Sequence, residues 1–401
     1  MNNVTRKRAL LLVAAIVSIT VASTRVNADM GTCGGASITL PFMDVASSPF
    51  FCQIAEAYFS GLANGTTAST YSPGDPVPRE QMAAFVSRTM DQSVKRAGKR
   101  AALDQFWTTQ TENNIGLTTI GTGPSLVKFD GSDLWVANHT SGTVSRVKAS
   151  DGRVLDSPPG WTGATGAVGV LVAMGKVFIT GQANPGKLYS LDPSQAPGPV
   201  APVPVNLGAN TIGIAFDGQR IWTANLGSPG SVSIVTLNPV TVNTVTAGFS
   251  GPTGLVYDGT NMWVTDGGDQ MLKKLDANGN IVLPVSVGNA PSHPAFDGTN
   301  IWVPNGNSAS VSVVRATGPL VGTVLATLTG NGLNSPTQIA FDGERMLVTN
   351  QSGGSVSLWR ASDLTPIGMF SMGAGTGPFG ACSDGLNFWI TFGASNKLAR
   401  F

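Results

Sequence analysis

Charge is what this chain has least of. Only 12% of its 401 residues are Asp, Glu, Lys or Arg, and 24 cations nearly cancel 23 anions, leaving a net +1. That balance removes the electrostatic case for nucleic acid, because counterion release needs clustered Lys and Arg. Histidine occurs twice and cysteine three times, with no Cys/His spacing of the zinc-binding kind. There is no Gly-x-Ser-x-Gly elbow and no phosphate loop. One apolar run, 9–22, stands out, and its fourteen residues fall short of a bilayer core of about 30 Å. What is abundant instead is glycine (50) and proline (25), against 42% hydrophobic residues. That composition is not a disordered one; it suits an all-β chain with many turns, since tight turns call for residues that tolerate positive φ.

The start of the chain reads as an export signal. Arg6, Lys7 and Arg8 precede the apolar run, and Val26-Asn27-Ala28 offers small residues for cleavage before Asp29. A signal peptide over 1–28 is expected, the alternative being a retained anchor. Cys33 lacks a Leu-rich lipobox, which argues against a lipoprotein. No later segment is long enough to cross a membrane, so the expected location is extracellular or the cell envelope. In such an oxidising compartment Cys33 and Cys52 can pair and staple a small domain, or both stay free. Cys382 is distant and reads as a small buried hydrophobe.

Residues 38–90 carry the helical periodicity. Ser48-Pro49 has the form of an N-cap with Pro at the first helical position. Phe51, Ile54, Ala55, Tyr58 and Leu62 then recur at three- and four-residue steps. A second helix is expected from Pro78, with Met82, Phe85, Val86 and Met90 on one face. Phe42-Met43-Asp44-Val45, Gly61-Leu62-Ala63-Asn64-Gly65, Tyr71-Ser72-Pro73 and Pro78-Arg79-Glu80-Gln81 follow in the order and spacing of the S-layer homology (SLH) domain, and residues 29–94 resemble that family. The resemblance departs at Pro78 and Gln81, where the family carries a capping Thr and a Glu, and only one copy is visible. It implies attachment to cell-wall polysaccharide or peptidoglycan, with Asp44 and Arg79 as the glycan-contacting residues; an Arg fork suits an anionic sugar substituent. The alternative is that both side chains merely cap helices or pair with each other. Residues 95–114, basic and then polar, read as a linker.

The rest of the chain repeats. An apolar strand ending in Phe-Asp-Gly leads to a strand of the Ile-Trp-Val-x-Asn type, then a Val-Ser-x-Val strand and a fourth apolar strand. The second strand recurs at Leu134, Val177, Ile221, Met262, Ile301, Met346 and Phe388, at separations of 43, 44, 41, 39, 45 and 42 residues. Asp-Gly turns such as Asp130-Gly131 and Asp217-Gly218 join the first two strands, and only the second repeat, at Ala173-Met174-Gly175, lacks one. A sheet apolar on both faces must stack on neighbours, and a closed ring removes the exposed ends. Residues 115–120 resemble a fourth strand and 396–401 a third, so the two ends complement each other. The expectation is an all-β seven-bladed β-propeller over 115–401, with a small N-terminal α-helical SLH-like module. The repeats resemble the YVTN and NHL-like propellers, whose motifs define architecture and no activity.

Propeller ligands sit at the channel mouth, on the face of the loops between second and third strands. Those loops begin at Asn138, Asn225, Asp266, Asn305 and Asn350 in five of the blades. These residues form a polar rim for a glycan or protein, or each closes its own loop by accepting backbone N–H groups. His139 and His293, the only histidines, and Asp269 are the non-repeated candidates on the same face. The resemblance to antibiotic-lyase propellers implies a His/Glu/His cluster with magnesium, and no Glu accompanies either histidine here. No catalytic residue, metal or cofactor is therefore expected. The expectation is an envelope-tethered binding scaffold; the alternative is a secreted propeller lyase or hydrolase acting on polysaccharide.

Overall fold

Alternating apolar residues and Asp-Gly turns become hairpins because Asp can hold the turn's own N–H groups while Gly takes positive φ. In the computed structural model this occurs in six of the seven repeats. Asp297 Oδ1, for example, accepts the N–H groups of Thr299 and Asn300 at 2.8 and 2.6 Å, and Gly298 sits at φ 95°. The second repeat substitutes a tighter solution: Met174 and Gly175 both take positive φ, 52° and 71°, and Ala173 pairs directly with Lys176. The described residues are 28–33, 36–59, 63, 65–77, 82, 116–156 and 160–401. The expected signal segment up to residue 27, Arg79 and the rest of the expected second helix save Met82, and the expected linker 95–114 lie outside them. The chain divides into two compact units, Met1–Arg96 and Ala97–Phe401.

Among its described residues the first unit holds an antiparallel hairpin, β1 (Asp29–Cys33) and β2 (Ala36–Leu40), and the helix α1 (Phe51–Phe59). The hairpin was not expected; its two strands are too short for periodicity to register. It is fixed from outside: Asp29 Oδ2 accepts the N–H groups of Val45 and Ala46, and Cys33 is bonded to Cys52 at the start of α1. The helix begins two residues later than Ser48-Pro49 suggests, because Ser48 closes a turn on Val45 before capping the N–H of Phe50. Leu40, Phe42, Val45, Phe51, Ile54 and Ala55 form the core, edged by Tyr58 and Tyr71.

The second unit is a propeller of seven four-stranded antiparallel sheets. Gly116–Thr119 supplies the outer strand of the seventh blade, pairing with Lys397–Arg400 so that Gly116 faces Arg400 and Thr119 faces Lys397. The two ends of the repeat array close the ring, as their sequences imply. Between blades lie seven dry cores, each drawing side chains from two neighbouring sheets; Trp135, Val144, Val170, Val177 and Ile179 meet between blades 1 and 2. Cys382 belongs to such a core beside Val127 and Trp389, and burial pushes its thiol up to about 12.

Two sets of side chains hold the propeller, one within single blades and one between blades. In five blades the turn Asp also accepts the indole N–H of the Trp five residues on, at 2.7 Å: Asp130 with Trp135, Asp217 with Trp222, Asp258 with Trp263, Asp297 with Trp302 and Asp384 with Trp389. A fully buried indole thus has its one donor satisfied. Nearer the channel, the hydroxyls of Thr180, Thr349 and Thr391 donate to carbonyls of the next blade's inner strand, at Ile212, Phe379 and Ser125, and that of Thr265 to Ser292, just ahead of the inner strand of blade 5.

Candidate functional site

The loop face is built on one backbone contact repeated around the ring. The residue after the Asn/Asp position donates its N–H to the residue just before the inner strand: His139 to Gly123, Gln182 to Gly166, Leu226 to Asn210, Gly267 to Gly251, Gly306 to Ala290, Gln351 to Ser335 and Gly393 to Gly377. Seven equal anchors leave the side chains at this position to differ. Blades 1, 2, 3 and 6 raise His139, Gln182, Leu226 and Gln351, while blades 4, 5 and 7 present bare glycine. The upper surface is therefore uneven around the ring.

Beneath it, the five repeated Asn and Asp residues are fully buried. They do not stand out as an open rim, nor do the asparagines chiefly close their own loops. Their amides instead lock the third strand of the same blade. Asn138 Nδ2 donates to Thr143 and Ser145, Asn225 to Ser231 and Ser233, Asn305 to Ser310 and Ser312, and Asn350 to Ser355 and Ser357, at 2.7–3.3 Å. The partners were present in the sequence as the serine of the Val-Ser-x-Val strand, but that serine reads as a repeat feature with no stated role. Glycine presses on this amide from the preceding loop: a Cβ on Gly121 would lie 2.4 Å from Asn138 Nδ2.

Blade 4 changes all three members. Asp266 replaces Asn, Lys273 replaces Ser, and Phe249 stands where Gly121, Gly208 and Gly288 stand in blades 1, 3 and 5. The Lys273 ammonium is buried and reaches three acceptors, Asp266 Oδ2 at 2.6 Å, Asp269 Oδ2 at 2.5 Å and the Gly248 carbonyl at 2.7 Å, with the Phe249 ring 5.4 Å away. Asp266 also accepts the N–H groups of Ser250, Gly251 and Gly268. Every ammonium proton is used, so Asp266 and Asp269 are held by an internal cation.

The two histidines are not brought together. His139 is exposed on blade 1 and bonds Gln182 of blade 2 at 2.8 Å. His293 is buried on blade 5, where its backbone N–H donates to Thr337 and its carbonyl accepts from Ile339. Its Nδ1 lies 3.0 Å from Ser292 Oγ and its Nε2 has no protein partner. Burial, reinforced by the Lys128 ammonium and partly offset by the Thr337 contact, lowers its pKa to about 4, so the ring is neutral at pH 7. Among the described residues no group of three His, Cys, Asp or Glu side chains converges as a metal site.

At the opposite end of the strands, a shallow cavity of about 170 Å³ opens between blades 3 and 4, lined by Asp217, Arg220, Trp222, Tyr257 and Asp276 among others. Arg220 is already committed to Asp217 and to the Ala277 carbonyl, over the face of Trp222. In the first unit, Asp44 accepts the N–H groups of Tyr71 and Ser72 at 2.7–3.1 Å. It brings two of the separated sequence elements, Phe42-Met43-Asp44-Val45 and Tyr71-Ser72-Pro73, into contact, and the Phe42 and Tyr71 rings lie 5.3 Å apart.

The fold and this wiring define a seven-bladed β-propeller. Among solved structures, a streptogramin B lyase is 16% identical, with a TM-score of 0.58 over 71% of this chain and 97% of that one. The virginiamycin B lyase from Staphylococcus aureus gives 16%, 0.58, 71% and 98%. The WD40 β-propeller domain of Doa1 gives 12%, 0.58, 72% and 97%. These likenesses are of fold. No protein-family model matches the chain, and no curated protein matches it in sequence.

Proposed function

We propose that this chain is an exported, envelope-associated binding scaffold: the SLH-like module attaches to cell-wall glycan, and the propeller's loop face takes a glycan or protein partner. The observation that carries the propeller half is the division of labour on that face. The repeated polar residues are spent on holding strands, while His139, Gln182 and Gln351 stand above them on a rigid seven-point frame, differing from blade to blade. An acid–base centre needs convergent titratable groups in reach of one atom. A recognition surface needs rigid anchors with variable side chains, which this face has.

The module half rests on the SLH resemblance and on the contact between Asp44 and the Tyr71 loop, which supports an ordered fold around those elements. Its test is co-sedimentation of the full chain with isolated wall sacculi, wild type against Arg79→Ala. Loss of retention in the variant supports the tether; equal retention removes Arg79 from it. For the propeller, the full chain is screened on immobilised wall and extracellular glycans, with His139→Ala and Gln182→Ala as controls. Binding that is indifferent to both changes rejects this face as the recognition surface.

A further inference from the structure

A propeller exposes the outermost strand of every blade, and each such edge is a template for another strand unless something blunts it. The seven blades of this chain serve as controls for one another. Blades 1 and 2 have outer strands of two residues, Trp161–Thr162 and Ala201–Pro202. In blade 4, Ile281–Ser286 contains Pro284 and a register shift opposite Lys274 and Leu275. Val324–Leu328 of blade 5 also carries a register shift, and Pro366–Ser371 of blade 6 combines one with Pro366 and Gly368. The outer strand of blade 7 has four residues and begins with Gly116. Each of these is a recognised means of discouraging edge pairing.

Blade 3 has none of them. Its outer strand, Val240–Val245, is six residues of Val, Thr and Asn, paired with Ser231–Leu237 without a register shift. It contains no proline, glycine or charge. Residues 240–244 are exposed, Val240 by 42% and Val242 by 37%. A flat, uncharged, β-branched hexamer on an open edge is the pattern that strands pair with most readily.

We propose that this edge is a self-association site that takes the same strand from a second copy of the chain. The sequence is self-complementary about Val242. With two copies antiparallel and Val242 opposite Val242, Val240 meets Thr244 and Thr241 meets Asn243. Val240, Val242 and Thr244 share one face of the sheet, so β-branched side chains meet across the two-fold axis. No charge on the strand opposes its own copy, whereas a charged edge would repel itself. The contact is isologous and closes at two copies. One strand pair is small for a permanent interface, so the dimer forms at roughly tens of micromolar rather than nanomolar.

Sedimentation velocity of the full chain over a range of concentrations tests this, with three variants at exposed positions. Wild type should pass from monomer to dimer as concentration rises to about 200 µM, within the weak-interface range. Val242→Lys should weaken association at least about tenfold by adding like charge at the axis, with an unchanged far-ultraviolet spectrum and melting temperature. Val242→Cys should cross-link to itself under mild oxidation. Val324→Lys, on the register-shifted strand of blade 5, should associate like wild type. The proposal is overturned if wild type stays monomeric throughout, which is also the result expected were the occupant a strand of another protein. It is equally overturned if Val242→Lys dimerises as before, if Val242→Cys fails to cross-link, or if Val324→Lys is as disruptive as Val242→Lys.

Discussion

Lys273 Nζ lies 2.6 Å from Asp266 Oδ2 with both side chains buried, in the place where blades 1, 3, 5 and 6 pair an asparagine with a serine. An ion pair has replaced a neutral hydrogen bond inside one repeat. Its two halves depend on each other, because a buried charge without its partner keeps the desolvation cost and loses the compensation. Lys273→Ala should therefore destabilise the propeller by about 3–5 kcal/mol. Asp266→Asn combined with Lys273→Ser rebuilds the arrangement of the other blades and should recover most of that loss. Chemical denaturation of the two variants measures it. A double variant no more stable than Lys273→Ala alone would show that Phe249 or Asp269 makes the pair irreplaceable.

The clamp from turn to core is open to a similar experiment. Asp297 accepts two turn N–H groups and the Trp302 indole, three bonds at 2.6–2.8 Å. Asp297→Ala leaves the buried indole N–H without a partner and frees the turn, at a cost of about 2–4 kcal/mol. Trp302→Phe removes the donor along with its bond and keeps an aromatic in the core, so it should cost less than Asp297→Ala. Thermal melts that rank the two in the opposite order would locate the stabilisation in indole packing instead.

Much of the ring was legible because its determinants are local and repeated. Asp-Gly turns, the aromatic strand and the complementary ends at 116–119 and 397–400 each lie within a few residues and recur. Position on the loop face was legible too, but burial there was not. Asn225 looks the same in sequence whether it faces solvent or Ser233, since the serine that consumes it belongs to the next strand. The indole bonds were hidden for another reason: an Asp already occupied by its own turn has a second oxygen that only the folded hairpin aims at the Trp. His139 and His293 are alike in composition and opposite in setting, one exposed against Gln182, the other buried against Ser292. In the N-terminal unit the hairpin β1–β2 is stabilised by a disulfide and by Asp29, neither of which leaves a periodic trace.

His293 makes the propeller's stability depend on acidity. Its pKa falls from 6.5 in the unfolded chain to about 4 in the fold, because burial disfavours the charged ring and Lys128 adds to that. Between those values the unfolded state binds the extra proton, so stability rises with pH from about 4 to 6.5 and is lost as pH falls through that window. The full effect is on the order of 3 kcal/mol. His293→Gln keeps a polar side chain and removes the titration. Melting temperatures at pH 7 and pH 4.5 should differ less in the variant than in wild type; equal differences would assign the acid sensitivity to other groups.

Ring closure carries the strongest prediction about the architecture. Gly116–Thr119 is separated from its partner strand by nearly the whole propeller, yet it fills the outer place of blade 7. The Thr118 hydroxyl also bonds the Gly152 carbonyl of blade 1, and Asn396 holds both Ile120 and Gly123. Deleting 111–121 should expose Lys397–Arg400 as a fresh edge and uncouple blade 7 from blade 1. The large unit should then melt lower by roughly 10 °C or more and aggregate as concentration rises. A synthetic peptide of residues 111–121, added in excess, should restore much of the loss by mass action, since it binds only the folded ring. An unchanged melting temperature after the deletion would mean that six complete blades and a three-stranded seventh are held by their interblade cores alone.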